Sequence, residues 1–337
     1  MDLHGTTDGA TAVELVPLAD TGLEVSRMIL GCASIGGLYS ECDAKTAADG
    51  LAAAWEVGIR TFDTAPHYGV GLAEERLGAF LAGKERSEFV VSTKVGRLLV
   101  PTDEDVQGID GFYGTPQRKR VRDYSRDGVR RSIEQSCERL GLDRIDIALI
   151  HDPDDYWEVA IGEAYPALEE LRGEGTLGAI GVGINLAGMA ERFVRESDID
   201  CVLIAGCYSL IEDSAAQGFF PACRETGVAV LAAGVYESGI LANPHAGANF
   251  RYERAPEELV ARVAKIAGVC ARYDVPLPAA ALHYVLAHPD VTAVVIGARW
   301  AEKVHQNAGY LHEAVPRELF DELAAEGLAA PLVGNAS

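Results

Sequence analysis

The chain is predicted to be an α/β protein folded as a (β/α)8 TIM barrel, with an N-terminal β-hairpin cap and a long loop after the third strand. Three observations predict it. Eight short apolar runs alternate with amphipathic, helix-like stretches across the 337 residues, which is the count such a barrel needs. Runs such as "IDIALI" and "VAVLAA" are apolar throughout, as parallel strands covered on both faces should be. No GxGxxG follows the first run, where "LGCASIGG" lacks the spacing, so a doubly wound dinucleotide-binding sheet is the weaker reading.

The elements follow in order. Residues 1–14 are acidic and polar and read as a disordered tail, with one domain over 15–331. Residues 15–28 alternate apolar and polar positions around Asp20-Thr21-Gly22, a hairpin pattern that would cap the barrel floor. The strands are expected at 28–32, 60–63, 89–94, 145–150, 178–182, 201–205, 228–232 and 291–296. Helices are expected at 44–57, 72–81, 129–140, 163–172, 186–196, 215–225 and 256–272, and another begins after the eighth strand. The stretch 96–123 breaks the rhythm: it carries Pro101, Gly108, Gly111, Gly114, Pro116 and the basic run "RKRVR". A long irregular loop in a compact domain is usually a functional lid or a disordered insert. This one leaves just after Lys94 and would overhang the barrel mouth.

Bulk properties narrow the function classes. With 29 Lys and Arg against 51 Asp and Glu, the formal net charge is -22. That disfavours nucleic acid or an anionic membrane as a partner and favours a small molecule. No apolar run approaches the ~20 residues needed to cross a bilayer, and the N-terminus lacks the basic and apolar regions of a signal peptide. The seven cysteines are odd in number, scattered and free of CxxC pairs. They read as reduced thiols of a cytoplasmic protein. No metal site is expected: His283 and His288 are five apart, off the helical spacing of a chelating pair.

Four side chains carry the chemistry. Asp63 ends the second expected strand, Tyr68 lies in the loop after it, Lys94 ends the third, and His151 ends or directly follows the fourth. Strand ends of a barrel share one face, so the four converge. Taken singly, Asp63 reads equally as a binder of loop amides, Tyr68 as a packing residue and His151 as a structural imidazole. A lysine ending "FVVST" is harder to explain, because a buried ammonium needs a partner. Together they form a proton-coupled hydride-transfer set. A free phenol ionises near ~10, too high for acid–base work at neutral pH, and a neighbouring ammonium lowers that. Lys94 would supply the cation, Asp63 would hold it, Tyr68 would be the general acid or base, and His151 would orient the reacting oxygen. His67 reads as a spectator or a pocket wall.

"FDTAPHYGVGLAEERLG", "STKVGRLL" and "IALIHDPD" together resemble the aldo-keto reductase superfamily over roughly 16–330. With "GVYESGIL" they resemble most the branch of L-fucose, D-threo-aldose and L-galactose 1-dehydrogenases and pyridoxal 4-dehydrogenase. The resemblance implies the barrel fold, an NAD(P)-dependent oxidoreductase acting on CH–OH groups, and a dinucleotide bound extended. It implies cofactor contacts at Asn185, Tyr208, Ser238, Gly239, Gly297, Arg299, Lys303 and Asn307. Arg299 and Lys303 lean the cofactor towards NADP over NAD, while Glu302 between them and Trp300 work against it. Gly183, Ala205 and Ala233 or Gly234 depart from the usual nicotinamide contacts. Substrate walls are expected from Tyr39, His67, Trp157 and the 96–123 loop. The implied reaction is oxidation of an aldose C1 hydroxyl to the lactone. Pyridoxal oxidation, general aldehyde or ketone reduction, and a non-catalytic cofactor-binding subunit are the alternatives.

Overall fold

The computed structural model describes residues 12–245, 247–251 and 253–333. Of the expected tail, residues 1–11 lie outside the described residues. Val13 is buried, and its N–H donates to the Val57 carbonyl at 2.9 Å. The strands are β1 (Leu15–Pro17), β2 (Glu24–Ser26), β3 (Met28–Gly31), β4 (Thr61–Asp63), β5 (Val90–Val95), β6 (Arg97–Pro101), β7 (Arg118–Arg122), β8 (Ile145–His151), β9 (Leu177–Ile184), β10 (Cys201–Ala205), β11 (Ala229–Ala233), β12 (Asn249–Phe250), β13 (Glu253–Arg254) and β14 (Val291–Gly297). The α-helices are α1 (Ala44–Glu56), α2 (Leu72–Leu81), α3 (Arg126–Leu140), α4 (Trp157–Val159), α5 (Tyr165–Gly173), α6 (Ala187–Glu196), α7 (Phe219–Thr226), α8 (Glu257–Arg272), α9 (Leu277–Leu286), α10 (Ala301–Tyr310) and α11 (Arg317–Ala325).

Eight parallel strands close a barrel in the order β3-β4-β5-β8-β9-β10-β11-β14, with β14 pairing back onto β3. Each lies within two residues of its expected place. Two cores result. The interior core stacks Ile29, Ile147, Leu149, Leu203, Leu231 and Val295, and Leu18 and Val25 of the N-terminal hairpin close its floor. The hairpin pairs Leu15 with Ser26 and Pro17 with Glu24, as its sequence pattern predicts. The larger core lies between the strands and the surrounding helices. No helix among the described residues is long and apolar enough to cross a membrane.

The structure revises several elements. The 96–123 stretch is no irregular loop: β6 and β7 pair over five residues as an antiparallel hairpin, from Arg97↔Arg122 to Pro101↔Arg118. Alternating arginines in "RKRVR" hid the strand inside what reads as a charge cluster. Its tip reaches back across the mouth through the Leu38↔Phe112 bridge and the Tyr113 N–H on the Gly37 carbonyl at 3.1 Å. Helix α3 starts earlier than expected because Ser125 caps it, accepting from the Gly128 N–H. Helix α5 is preceded by a π-helical turn over Ala160–Ala164.

Two glycines let the first two mouth loops touch. Gly69 has φ +61, and a Cβ there would sit 2.2 Å from the Gly36 carbonyl oxygen. Gly69→Ala therefore meets both a left-handed backbone and an unyielding neighbour. It should lower unfolding stability by about 2 kcal/mol or more, read from the denaturant midpoint. An unchanged midpoint would contradict this close approach.

Candidate active site

Side chains alternate across a strand, and this aims the polar groups. Ser92 and Lys94 share one face of β5; Ile147, Leu149 and His151 share one face of β8, and the first two of these line the barrel interior. Register sets the neighbours: Asp63 stands opposite Ser92, Lys94 opposite Leu149 and His151 opposite Gly183. The inward set is therefore mainly apolar below, where Thr61 accepts from the Ser26 N–H of the hairpin at 2.8 Å, and polar at the top layer.

Lys94 is fully buried, with 1% of its side chain exposed. Its ammonium donates to both Asp63 oxygens, at 2.8 and 2.7 Å, and to the Thr64 carbonyl at 2.9 Å. Ser92 Oγ donates to Asp63 at 2.9 Å. Lys94 is also hydrogen-bonded to Tyr68, whose ring centroid lies 4.8 Å from Nζ. Burial is the largest influence on this ammonium and acts to lower its pKa, but Asp63 and Tyr68 together outweigh it and raise it. The lysine is charged. A Cβ at Gly183 would lie 3.3 Å from Lys94 Cε, so the glycine leaves the lysine stem its path.

The Tyr68 ring meets His151 edge-on at 5.9 Å and stacks on Phe112 at 6.2 Å. His67 packs on Phe112 and His151, at 5.4 and 5.6 Å. Burial, then Arg97 and Lys94, hold the His151 imidazole well below its ordinary pKa. Burial, then Arg97, Arg120 and Lys94, push His67 down to about 2. Both rings are neutral. The structure thus gathers Asp63, Tyr68, Lys94, His151 and His67. It adds Ser92, Phe112, Arg97 and Asp152, which the sequence reading passed over. Ser92 was legible as the residue two before Lys94; Phe112 was not, because its contact depends on the hairpin.

The expected cofactor residues divide. Asn185 is exposed directly after β9, and its amide donates to Asp152 Oδ1 at 3.3 Å. Glu237, Ser238 and Gly239 after β11 carry consecutive positive φ of 45, 55 and 100°, a tight turn in which the Glu237 and Gly239 N–H groups donate to the Gly234 and Tyr236 carbonyls at 2.8 and 2.9 Å. Tyr39 reaches Ser238 from across the mouth. Gly297 ends β14, and no side chain caps the N-terminus of α10, which favours a phosphate there. Lys303 Nζ donates to Gln306 Oε1 at 2.9 Å. Arg299 donates to the Ser40 carbonyl at 2.8 Å and to Ser40 Oγ at 2.6 Å, so its fork is engaged by the first mouth loop. Asn307 Oδ1 accepts from the Tyr236 hydroxyl at 3.3 Å. The structure does not bring Tyr208 to the mouth. It is buried in the helical layer, stacked on Tyr284 at 5.4 Å and edge-on to Phe220 at 5.0 Å. Trp157 likewise turns to the helices, 4.7 Å from Phe193 with the Arg192 guanidinium 3.7 Å over its ring. Among the described residues no group of three His, Cys, Asp or Glu is placed to hold a metal ion.

A parallel barrel with a buried acid–lysine–phenol line and an uncapped helix N-terminus at its rim suits a nicotinamide-dependent oxidoreductase, and the comparisons bear on that class. Residues 27–325 match the Aldo/keto reductase family. The chain is 44% identical over 313 residues to D-threo-aldose 1-dehydrogenase of Pseudomonas sp, covering 91% of this chain and 95% of that one. It is 38% identical to pyridoxal 4-dehydrogenase of Microbacterium luteolum, covering 94% and 98%. The solved structure of aldo-keto reductase AKR11C1 from Bacillus halodurans, in its holo form, superposes with a TM-score of 0.74 at 26% identity, over 96% of this chain and 99% of that one. The chain belongs to the aldo/keto reductase family and is an NAD(P)-dependent oxidoreductase with a small-molecule substrate.

The neutral imidazoles link the site to stability. Folded His67 and His151 bind protons more weakly than an unfolded imidazole, so the unfolded chain takes up protons first as pH falls through ~6.5. Their contribution is fully present above that pH and is lost below it, by up to about 1.4 kcal/mol per pH unit per imidazole. Unfolding midpoints should fall on acidification below ~6.5, and His67→Asn should shallow that fall. An identical pH dependence in the variant would show that His67 titrates normally in the fold.

Proposed function

We propose that the protein oxidises the C1 hydroxyl of an aldose to the lactone, with NADP or NAD as acceptor. The continuous hydrogen-bonded line Asp63–Lys94–Tyr68 carries this reading. The similarity to D-threo-aldose 1-dehydrogenase supports the substrate class.

A bound nicotinamide would supply the acceptor for the C1 hydride. Tyr68 takes the hydroxyl proton, and the charged Lys94 stabilises the phenolate that makes it a base. Asp63 fixes the ammonium in place. His151, neutral, donates to the same substrate oxygen and orients it. Phe112 and His67 wall the pocket and exclude water, which strengthens each of these interactions. Asn185 would hold the nicotinamide amide, the Ser238–Gly239 turn the diphosphate, and Asn307 the adenine. Arg299 and Lys303 favour NADP, and because Ser40 engages Arg299, the 2′-phosphate would rest chiefly on Lys303. Tyr39 would shape the outer pocket. Unpaired buried thiols support a cytoplasmic setting.

Oxidation of pyridoxal is the second reading. Its cyclic hemiacetal presents the same C–H and O–H, and the Tyr68–Phe112 stack offers a face for a pyridine ring. Similarity to pyridoxal 4-dehydrogenase favours it.

Wild-type protein should reduce the dinucleotide with an aldose, followed by the near-ultraviolet absorbance of the product. Tyr68→Phe should lower kcat by about 1000-fold while still binding cofactor. Full turnover in Tyr68→Phe would overturn the mechanism, and turnover confined to pyridoxal would transfer the reading to the second substrate. Lys303→Ala should raise KM for NADP by about 10-fold and leave that for NAD unchanged. An equal effect on both would remove Lys303 from the 2′-phosphate.

A further inference from the structure

Gly96, with φ +102, turns the chain out of β5 and into β6, which opens on Arg97. Arg97 is buried, its side chain 7% exposed, and a buried guanidinium needs a partner. Asp152 supplies one: Arg97 donates to Asp152 Oδ2 at 2.9 Å and to the His151 carbonyl at 3.5 Å. Asp152 does so from a left-handed backbone, φ +44, a conformation a non-glycine residue keeps only where its surroundings impose it. Tyr124 imposes it here. Its hydroxyl donates to the carbonyls of His151 and Asp152, at 2.7 and 2.9 Å. A Cβ at Gly96 would come within 2.2 Å of the Tyr124 ring, so the glycine makes room for that ring.

The held carboxylate faces two ways. Asp152 Oδ2 lies 3.5 Å from His151 Nε2, and Oδ1 accepts from the Asn185 amide at 3.3 Å. One side leads to the imidazole at the substrate oxygen, the other to the amide at the nicotinamide. Resting on the function proposed above, we propose that Arg97 and Asp152 are a positioning pair that registers His151 against Asn185, and so the substrate oxygen against the cofactor ring.

The pair also has an electrostatic consequence. His151 is faced by Lys94 from β5, Arg97 from β6, Arg122 from β7, His67 and Tyr68 from the loop after β4, and Asp152 beside it. Arg97 neutralises Asp152. Without it, the carboxylate acts on the imidazole with one cation fewer against it and shifts it towards the imidazolium. Loss of Arg97 therefore raises the His151 pKa from its depressed position, as relief of burial also would, and Arg97→Lys separates the charge effect from the packing effect.

The test compares Arg97→Met, Arg97→Lys and Asp152→Asn with wild type, using aldose turnover, dinucleotide affinity by fluorescence titration, and the pH profile of kcat/KM. Arg97→Met should lose on the order of 100-fold in kcat, the cost of a misregistered reaction centre. It should weaken dinucleotide binding by about 10-fold and acquire an acidic limb in its pH profile. Arg97→Lys should recover the wild-type profile. Asp152→Asn should lose kcat and affinity without the acidic limb, and it stands as the test if Arg97→Met does not fold. Wild-type kcat, affinity and profile shape in the variants would overturn the proposal, as would lowered thermal stability alone. If wild-type protein turns over no aldose or pyridoxal, the functional reading fails, and the affinity titration then decides for or against the pair by itself.

Discussion

A lysine and an aspartate sealed together beneath the barrel mouth set the terms for everything above them. Taking the Lys94 and Asp63 charges out of water costs several kcal/mol per ion, and attraction offsets this only with good geometry and full hydrogen bonding. Both conditions hold. The ammonium meets both carboxylate oxygens and the Thr64 carbonyl, and Ser92 supplies a further donor to the carboxylate. The pair spans neighbouring strands, so it exists only when β4 and β5 are in register. Barrel closure and the chemistry of the site are in this sense one constraint.

The buried Lys94–Asp63 pair is ringed by further cations that order the rest of the site. Burial first, and then Arg97, Lys94 and Arg122, with Arg120 also acting on His67, hold both imidazole pKa values down. The molecule as a whole carries a large negative charge, so the concentration of cations here is local and built by the hairpin. That hairpin also supplies Phe112, and it is joined to the first mouth loop by backbone pairing. The same loop carries Tyr39 to Ser238 and receives Arg299 at Ser40. The β6–β7 hairpin, the first mouth loop and the Ser238 turn therefore form one connected surface.

The barrel strands were legible in sequence because burial on both faces leaves an uninterrupted apolar run with few competing readings. Asp63, Lys94 and His151 were legible for the same reason: each polar residue ends such a run. The β6–β7 hairpin was hidden because its alternate positions are arginines whose partners lie elsewhere. Arg120, for example, donates to the His67 carbonyl at 2.8 Å, a contact that no local pattern announces. The Arg97–Asp152 pair joins residues 55 apart and needs the folded register to be seen. Trp157 is expected at the mouth from its place after a strand end, and Tyr208 from the family resemblance. Aromatic side chains there turn either to the pocket or to the helices, and Phe193 and Tyr284 drew them to the helices.

Transfer of the C1 hydrogen of an aldose to the cofactor over the Lys94–Tyr68 couple is the central step of the proposed reaction. Isotope tracing tests this most directly, with a sugar deuterated at C1, purified protein and oxidised dinucleotide. The account predicts deuterium at C4 of the reduced nicotinamide, and a primary isotope effect on single-turnover reduction. Reduced cofactor without deuterium, or cofactor binding with no transfer from any sugar or from pyridoxal, would contradict it.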